Sequence, residues 1–371
     1  MQLLKLVANH IKVGAPLPFN VRDEFGHLLL AAGHVIASVR QQEALLSRGI
    51  HADVEEIKAL AAGKTVAPQA PTLMARWTRA FWALDDLARD PPPGDAFGEA
   101  CLALGQSLHA MVLQDPDVIL YQMVRQEQHP LRMYGLTHAV FVAALCDLMA
   151  TRLGWPDADR HAVLMAGLTM NLTILDLQAR YAVYGRLNPE QRDELARHPT
   201  DTAARLRAGG VRDEGWLQAV EEHHEHTDGK GYPKGLTAVS EPAQLLRLAD
   251  VVLAKVSRRE SRPPLDVREA ARQAYLEAPA SPLVAALVRE CGLYPPGDLV
   301  CLASGEQGVV IRRGPTPKTP TVATLTDRRG LPSPQVQRRD TGQSEYAIVS
   351  VNADKNLVAR LPLERVYGLI Y

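Results

Sequence analysis

Three histidines and three glutamates fall within EEHHEH, residues 221–226, and the chain then runs through TDGKGYPKGL into a glycine-rich turn containing Pro233. Imidazole is the commonest side-chain ligand of divalent ions and carboxylates add hard anionic oxygens, so these residue types point to a metal centre. Neighbouring helical positions diverge by about 100°, so His223 and His224 can face one ion only where their helix ends or loosens. The pattern EGWLQAVEEHHEH predicts that helix over 214–226, with Trp216, Leu217 and Val220 on one side and Asp228-Gly229 as its terminator. Beyond it Gly231 tolerates unusual dihedrals and Pro233 locks one, so Asp228, Gly229, Lys230, Gly231, Tyr232 and Pro233 read as a rigid lip beside the histidines.

Other residues join this set. His138 lies in THAVFVAALCDLMA, where Val142 and Cys146 follow at four-residue spacing, so its imidazole is expected to face inward. His198, in ELARHPTD, reads as standing at a helix end before Pro199. Asp250 is the sole acid on the apolar segment QLLRLADVVLAKV, and burying a lone carboxylate is expensive unless a cation or a donor compensates it. Each alone reads equally well as a satisfied core polar group. Together they resemble a ligand set.

Apolar residues recur at three- and four-residue intervals from 73 to 290, with no sustained strand alternation, which predicts an all-α middle. Residues 1–60 carry short apolar runs broken at Glu24-Phe25-Gly26 and Ala32-Gly33, then a helix from Arg40 to Ser47 ending at Gly49, and read as a small β-rich module. The low-apolar stretch 61–72, with two prolines, suits a linker; 73–124 is a helical entry segment before 125–292; and 293–371 turns β-rich, with 312–345 expected to contain a mobile loop. The fold class expected is mainly α, a helical bundle flanked by two small β-rich ends.

A formal net charge of −1, from 41 basic and 42 acidic residues, provides no global field to recruit DNA or an anionic membrane. Cys101, Cys146, Cys291 and Cys301 lack zinc-ribbon spacing and read as buried or incidental thiols. The N-terminus MQLLKLVANHIKVG lacks an apolar core with a cleavage site, and there is no unbroken apolar run of membrane-spanning length, so the expectation is a soluble cytoplasmic protein.

The order HHE, two residues, DG, one residue, GYP resembles the defining motif of the HD-GYP family, bacterial phosphodiesterases of the HD superfamily that hydrolyse cyclic di-GMP. The resemblance covers roughly 125–292: a first histidine at His138, His198-Pro199, His223-His224-Glu225, the 228–233 lip, Ala249-Asp250-Val251 and Arg262-Pro263. It implies an HD-type bundle, hydrolysis assisted by two or three metal ions, and a loop able to contact diguanylate cyclase domains. It implies His138, His198, His223, His224 and Asp250 as ligands, with Lys230 and Arg186 available for phosphate.

One motif departs from the family. Where it has a His-Asp dyad followed by Gly and Lys, AGLTMNLTI, residues 166–174, places Met170-Asn171, Thr173 and Ile174. The register holds on both sides, since 171 − 138 = 33 and 198 − 171 = 27, spacings that resemble the family's. Tyr134 stands four before His138, where some members have a further glutamate ligand. Asn171 offers a neutral oxygen in place of a bridging carboxylate, and Met170 a soft thioether, so the ion served by His138 and Asp250 is expected to be weak or absent. A three-histidine site would still suit one ion, with Fe, Mn, Zn and Ni as candidates. Two functions follow from the resemblance. One is a non-hydrolytic or weakly active protein that binds cyclic di-GMP, a related dinucleotide or a cyclase domain through the 228–233 loop; the other is an active phosphodiesterase with an altered, mononuclear site. Homodimer formation stays open.

Overall fold

The computed structural model describes residues 2–22, 28–36, 38–47, 50–68, 73–126, 131–333, 335–351 and 366. These form two compact units, one up to Asp86 and one from Leu87 onward, with the division inside a helix, Leu73–Arg89. Thirteen α-helices and two antiparallel sheets occur among the described residues, so the molecule is mainly α with β-rich ends.

In the first unit, β1 (Leu3–Lys5), β2 (Val21–Arg22), β3 (Leu28–Leu30) and β4 (His51–Asp53) pair in the order β1-β4-β2-β3. Helices α1 (Val39–Ser47) and α2 (Val54–Ala61) accompany them, and Phe19, Val21, Leu30, Ile36 and Ile50 form the core. The turn expected at Glu24-Phe25-Gly26, the helix end at Gly49 and linker residues 69–72 lie outside the described residues. Helix α3, Leu73–Arg89, begins in this unit.

The second unit is built around one helix. Helices α4 (Asp95–Gln114) and α5 (Pro116–Val124) precede α6 (Tyr134–Leu153), in which every residue from Tyr134 to Ala150 is buried. Its length and unbroken apolar face suit a bundle centre, and Gly154 in the left-handed conformation ends it. Around it stand α7 (Asp157–Thr169), α8 (Leu175–Tyr184), α11 (Glu241–Val256) and α13 (Pro282–Cys291), with α9 (Pro189–Ala208), α10 (Glu214–Glu222) and α12 (Val267–Glu277) completing the set. One close approach is at Gly167 of α7, where a Cβ would lie 2.8 Å from the Ala143 Cα of α6. That contact brings the α7–α8 turn, with Met170 and Asn171, against the central helix. By length and composition Asp95–Gln114 and Leu131–Leu153 could each cross a membrane, with mean hydropathy 1.2 and 1.5, but the apolar stretch of the second is wholly buried in the bundle.

The second sheet has β5 (Leu299–Leu302), β6 (Gln307–Arg312), β7 (Thr321–Thr324), β8 (Arg338–Asp340) and β9 (Ile348–Val351) in the order β8-β7-β6-β5-β9. The segment 312–345, expected to contain a mobile loop, contributes β7 and β8, and Val322 and Ala323 are fully buried where β7 pairs with β6. Arg312 bonds Asp115 at 2.7 Å and Arg313 bonds Asp117 at 2.5 Å, which tie the sheet to α5. All four cysteines are free thiols.

Candidate metal centre

Three imidazoles converge from helix α9 and the turn that follows α10. A ligating nitrogen of each of His198, His223 and His224 lies within 4.8 Å of the other two. His198 does not end its helix as expected; α9 continues through Pro199 to Ala208. Proline has no N–H to offer the carbonyl four residues back, which here is that of Leu195. The Nδ1 of His198 takes that carbonyl at 2.6 Å, so the vacancy left by Pro199 orients its neighbour.

The helix predicted over 214–226 ends at Glu222 instead, well before Asp228-Gly229. The next turn bonds Glu225 N–H to the Glu222 carbonyl at 2.7 Å, and Tyr232 N–H to the His224 carbonyl at 3.2 Å. This early stop lets two sequence neighbours face one place, with ring centroids 4.1 Å apart at 40°. His223 Nδ1 donates to the Val220 carbonyl at 2.7 Å.

The hydrogens follow from these bonds. A carbonyl only accepts, so His198 and His223 both carry their proton on Nδ1, and both present a bare Nε2. Those two Nε2 atoms face each other at 3.1 Å in the interior. Two lone pairs so placed repel unless a proton or a cation stands near them. Burial, reinforced by His223, lowers His198 to about 3; burial also lowers His223 and takes His224 well below the ordinary range. At neutral pH a proton therefore does not fill the place, and the donor set fits a divalent ion. Held by these three imidazoles, such an ion would supply Lewis acidity toward a phosphate oxygen and a bound water.

His138 and Asp250 form a separate pair. His138, buried on α6 as its apolar surroundings predict, has Nε2 2.6 Å from Asp250 Oδ1. Burial pushes Asp250 up, but the hydrogen bond from His138 outweighs it and holds the carboxyl well below its usual range. Tyr134 stacks on His138, with centroids 5.1 Å apart and Oη 3.4 Å from Nδ1, and Arg259 donates to the same Oη.

His138, His198, His224 and Asp250 line a common cavity of about 290 Å³, in which Asn171 and Ile174 take part of one wall. Met170 is fully buried and does not line it, so its thioether belongs to the core. Lys255, Arg259 and Arg262 give the cavity a basic side. Arg186 and Lys230, the expected phosphate contacts, are exposed and line no part of it. Arg259 and Lys255 escaped the sequence reading; the available signal was the basic stretch KVSRRESR, residues 255–262, at the end of the apolar helix carrying Asp250.

The glutamates of EEHHEH hold the lip. Glu225, 1% exposed, accepts from the N–H groups of Lys234 at 2.6 Å and Leu236 at 2.9 Å; Glu222 accepts from Ser240 N–H at 2.8 Å; Glu221 bonds Lys234 Nζ at 2.7 Å. Gly231 passes so close that a Cβ would lie 2.4 Å from Glu225 Cα, and Tyr232 stacks on His224 at 4.5 Å. The Tyr232-Pro233 bond is cis. Asp228 accepts from Lys230 N–H at 3.0 Å and stiffens the exposed tip around Gly229, whose φ is +74°.

Residues 109–278 match the HD domain family. The cyclic di-GMP phosphodiesterase PA4108 of Pseudomonas aeruginosa is 30% identical over 266 residues, which is 70% of this chain and 64% of that protein. The 3'3'-cGAMP-specific phosphodiesterase 1 of Vibrio cholerae is 30% identical over 144 residues, 37% of this chain and 32% of that one. The chain thus spans less than two thirds of either curated relative. The bundle is an HD domain. Its 223–233 segment carries the order HHE, DG and GYP that resembles the HD-GYP motif. A solved structure, Bd1817, an HDG"Y"P protein from Bdellovibrio bacteriovorus, aligns with 77% of this chain at 13% identity and a TM-score of 0.49.

Proposed function

We propose that this is a cytoplasmic cyclic-dinucleotide signalling protein with a reduced metal centre, non-hydrolytic or weakly active, which works by binding cyclic di-GMP or a related dinucleotide, or a cyclase domain, through the 228–233 loop. The observation that carries it is the split of the site. His198, His223 and His224 converge on one place, whereas the turn carrying Met170 and Asn171 contributes no carboxylate to bridge ions. The glutamates that brace the lip favour a loop with a lasting role. A dinucleotide ligand is supported by the two relatives, whose names specify cyclic di-GMP and 3'3'-cGAMP.

Purified protein loaded with Mn(II) or Fe(II) should bind cyclic di-GMP without multiple turnovers. A second reading, an active phosphodiesterase with one ion, draws on the facing Nε2 atoms of His198 and His223. Turnover that disappears in His223→Ala would establish it and overturn the first.

A further inference from the structure

We propose that Tyr134 and Arg259 lock His138 onto Asp250 and withdraw this pair from metal ligation, so that an ion is held at the three histidines alone. The ion count rests on the centre proposed above; the lock does not.

The direction of every hydrogen in the chain follows from its two ends. Arginine only donates, so the bond between Arg259 Nη2 and Tyr134 Oη makes the phenol oxygen the acceptor. The phenol hydrogen is then free to point at His138 Nδ1, 3.4 Å away. An accepting Nδ1 leaves the imidazole proton on Nε2, and Nε2 lies 2.6 Å from Asp250 Oδ1, which only accepts. The three bonds of the chain all run in one sense, from guanidinium to carboxylate.

Packing holds the chain in that sense. The Tyr134 and His138 rings stack at 17°, and the Arg259 guanidinium lies 4.8 Å from the Tyr134 centroid and 5.7 Å from that of Tyr181. An ion at Asp250 would need the Nε2 lone pair of His138, which here bears a hydrogen engaged in a short charge-assisted bond. It would also face the positive charges of Lys255, Arg259 and Arg262 along the same cavity, with Asn171 in the lining as a neutral side chain. Asp250 already has its counter-charge, relayed from Arg259 through Tyr134 and His138.

The test uses the full chain, stripped by chelator and reloaded with Zn(II) or Mn(II). The metal-to-protein ratio is measured by mass spectrometry, and the His138 side chain is followed by long-range proton–nitrogen NMR. A ratio of one or less is expected, with His138 as the Nε2–H tautomer. Tyr134→Phe should move the His138 nitrogen signals and leave those of His198 in place. Tyr134→Glu with Arg259→Gln, which exchanges the lock for a hard anionic donor, should raise the ratio toward about two. A wild-type ratio near two, a bare Nε2 on His138, or no gain in a folded double variant overturns the lock. A ratio of zero together with the Nε2–H tautomer supports the lock and removes the three-histidine centre instead. If the double variant does not fold, the wild-type ratio and the Tyr134→Phe spectra still decide.

Discussion

The Leu195 carbonyl, which Pro199 leaves without its helical partner, accepts the Nδ1 hydrogen of His198 at 2.6 Å. A residue usually expected to break a helix thus sets the tautomer of its neighbour, by removing a competitor for one oxygen.

Pro199→Ala restores that competitor. The helix should remain or gain stability, while His198 loses its fixed orientation and metal affinity falls by about 10- to 100-fold, the usual effect of removing an outer-shell partner. Isothermal titration with Zn(II), read beside the circular dichroism melt, checks both halves. Unchanged affinity would show that packing alone orients His198.

His223→Ala deletes one of three ligands and leaves His198 Nε2 without its facing atom. Metal content should fall to background, and the rise in melting temperature that metal gives the wild type should vanish, since ligand stabilisation scales with occupancy. A melting shift that survives the substitution would place the ion elsewhere.

Glu225→Gln discriminates between two roles for the glutamate of HHE. It replaces one of two accepting carboxylate oxygens with an amide donor facing a backbone N–H, at a cost of about 1–3 kcal/mol. Exchange protection across 226–239 should drop while zinc affinity stays within a factor of about two, because the histidines keep their own carbonyl partners. Loss of metal with intact protection would make Glu225 a ligand instead.

The lip should also loosen in acid. Burial raises Glu221, but its bonds with Lys234 and Arg207 outweigh that and leave it below its ordinary value. A depressed folded pKa contributes stability that is complete above the unfolded value of about 4.3 and fades as pH falls through the folded one. Loop exchange should therefore be flat from neutral pH to about 5 and speed up below about 4.3, and Glu221→Gln should abolish that acid step.

Much of this architecture can be read along the chain, for reasons local to each segment. The unbroken apolar stretch around His138 demands burial, and α6 is buried throughout; the change of texture after Pro296-Gly297 marks the second sheet. The pattern of HHE and GYP, and the absence of an acid at 171, are facts of sequence alone. Their sorting is not. His223 and His224 share one place because α10 stops at Glu222, and that stop depends on Tyr232 and Glu225 finding partners across the turn. The glutamates beside them turn to the lip, although residue type alone suits them equally well to a metal. Arg259 meets Tyr134 across 125 positions of chain, a contact no local pattern encodes. Residue identity and spacing determined which groups were available. The packing of α6 against α11, the proline inside α9 and the early end of α10 decided which of them meet, because hydrogen bonds and metal ligation act only over a few ångströms that folding alone supplies.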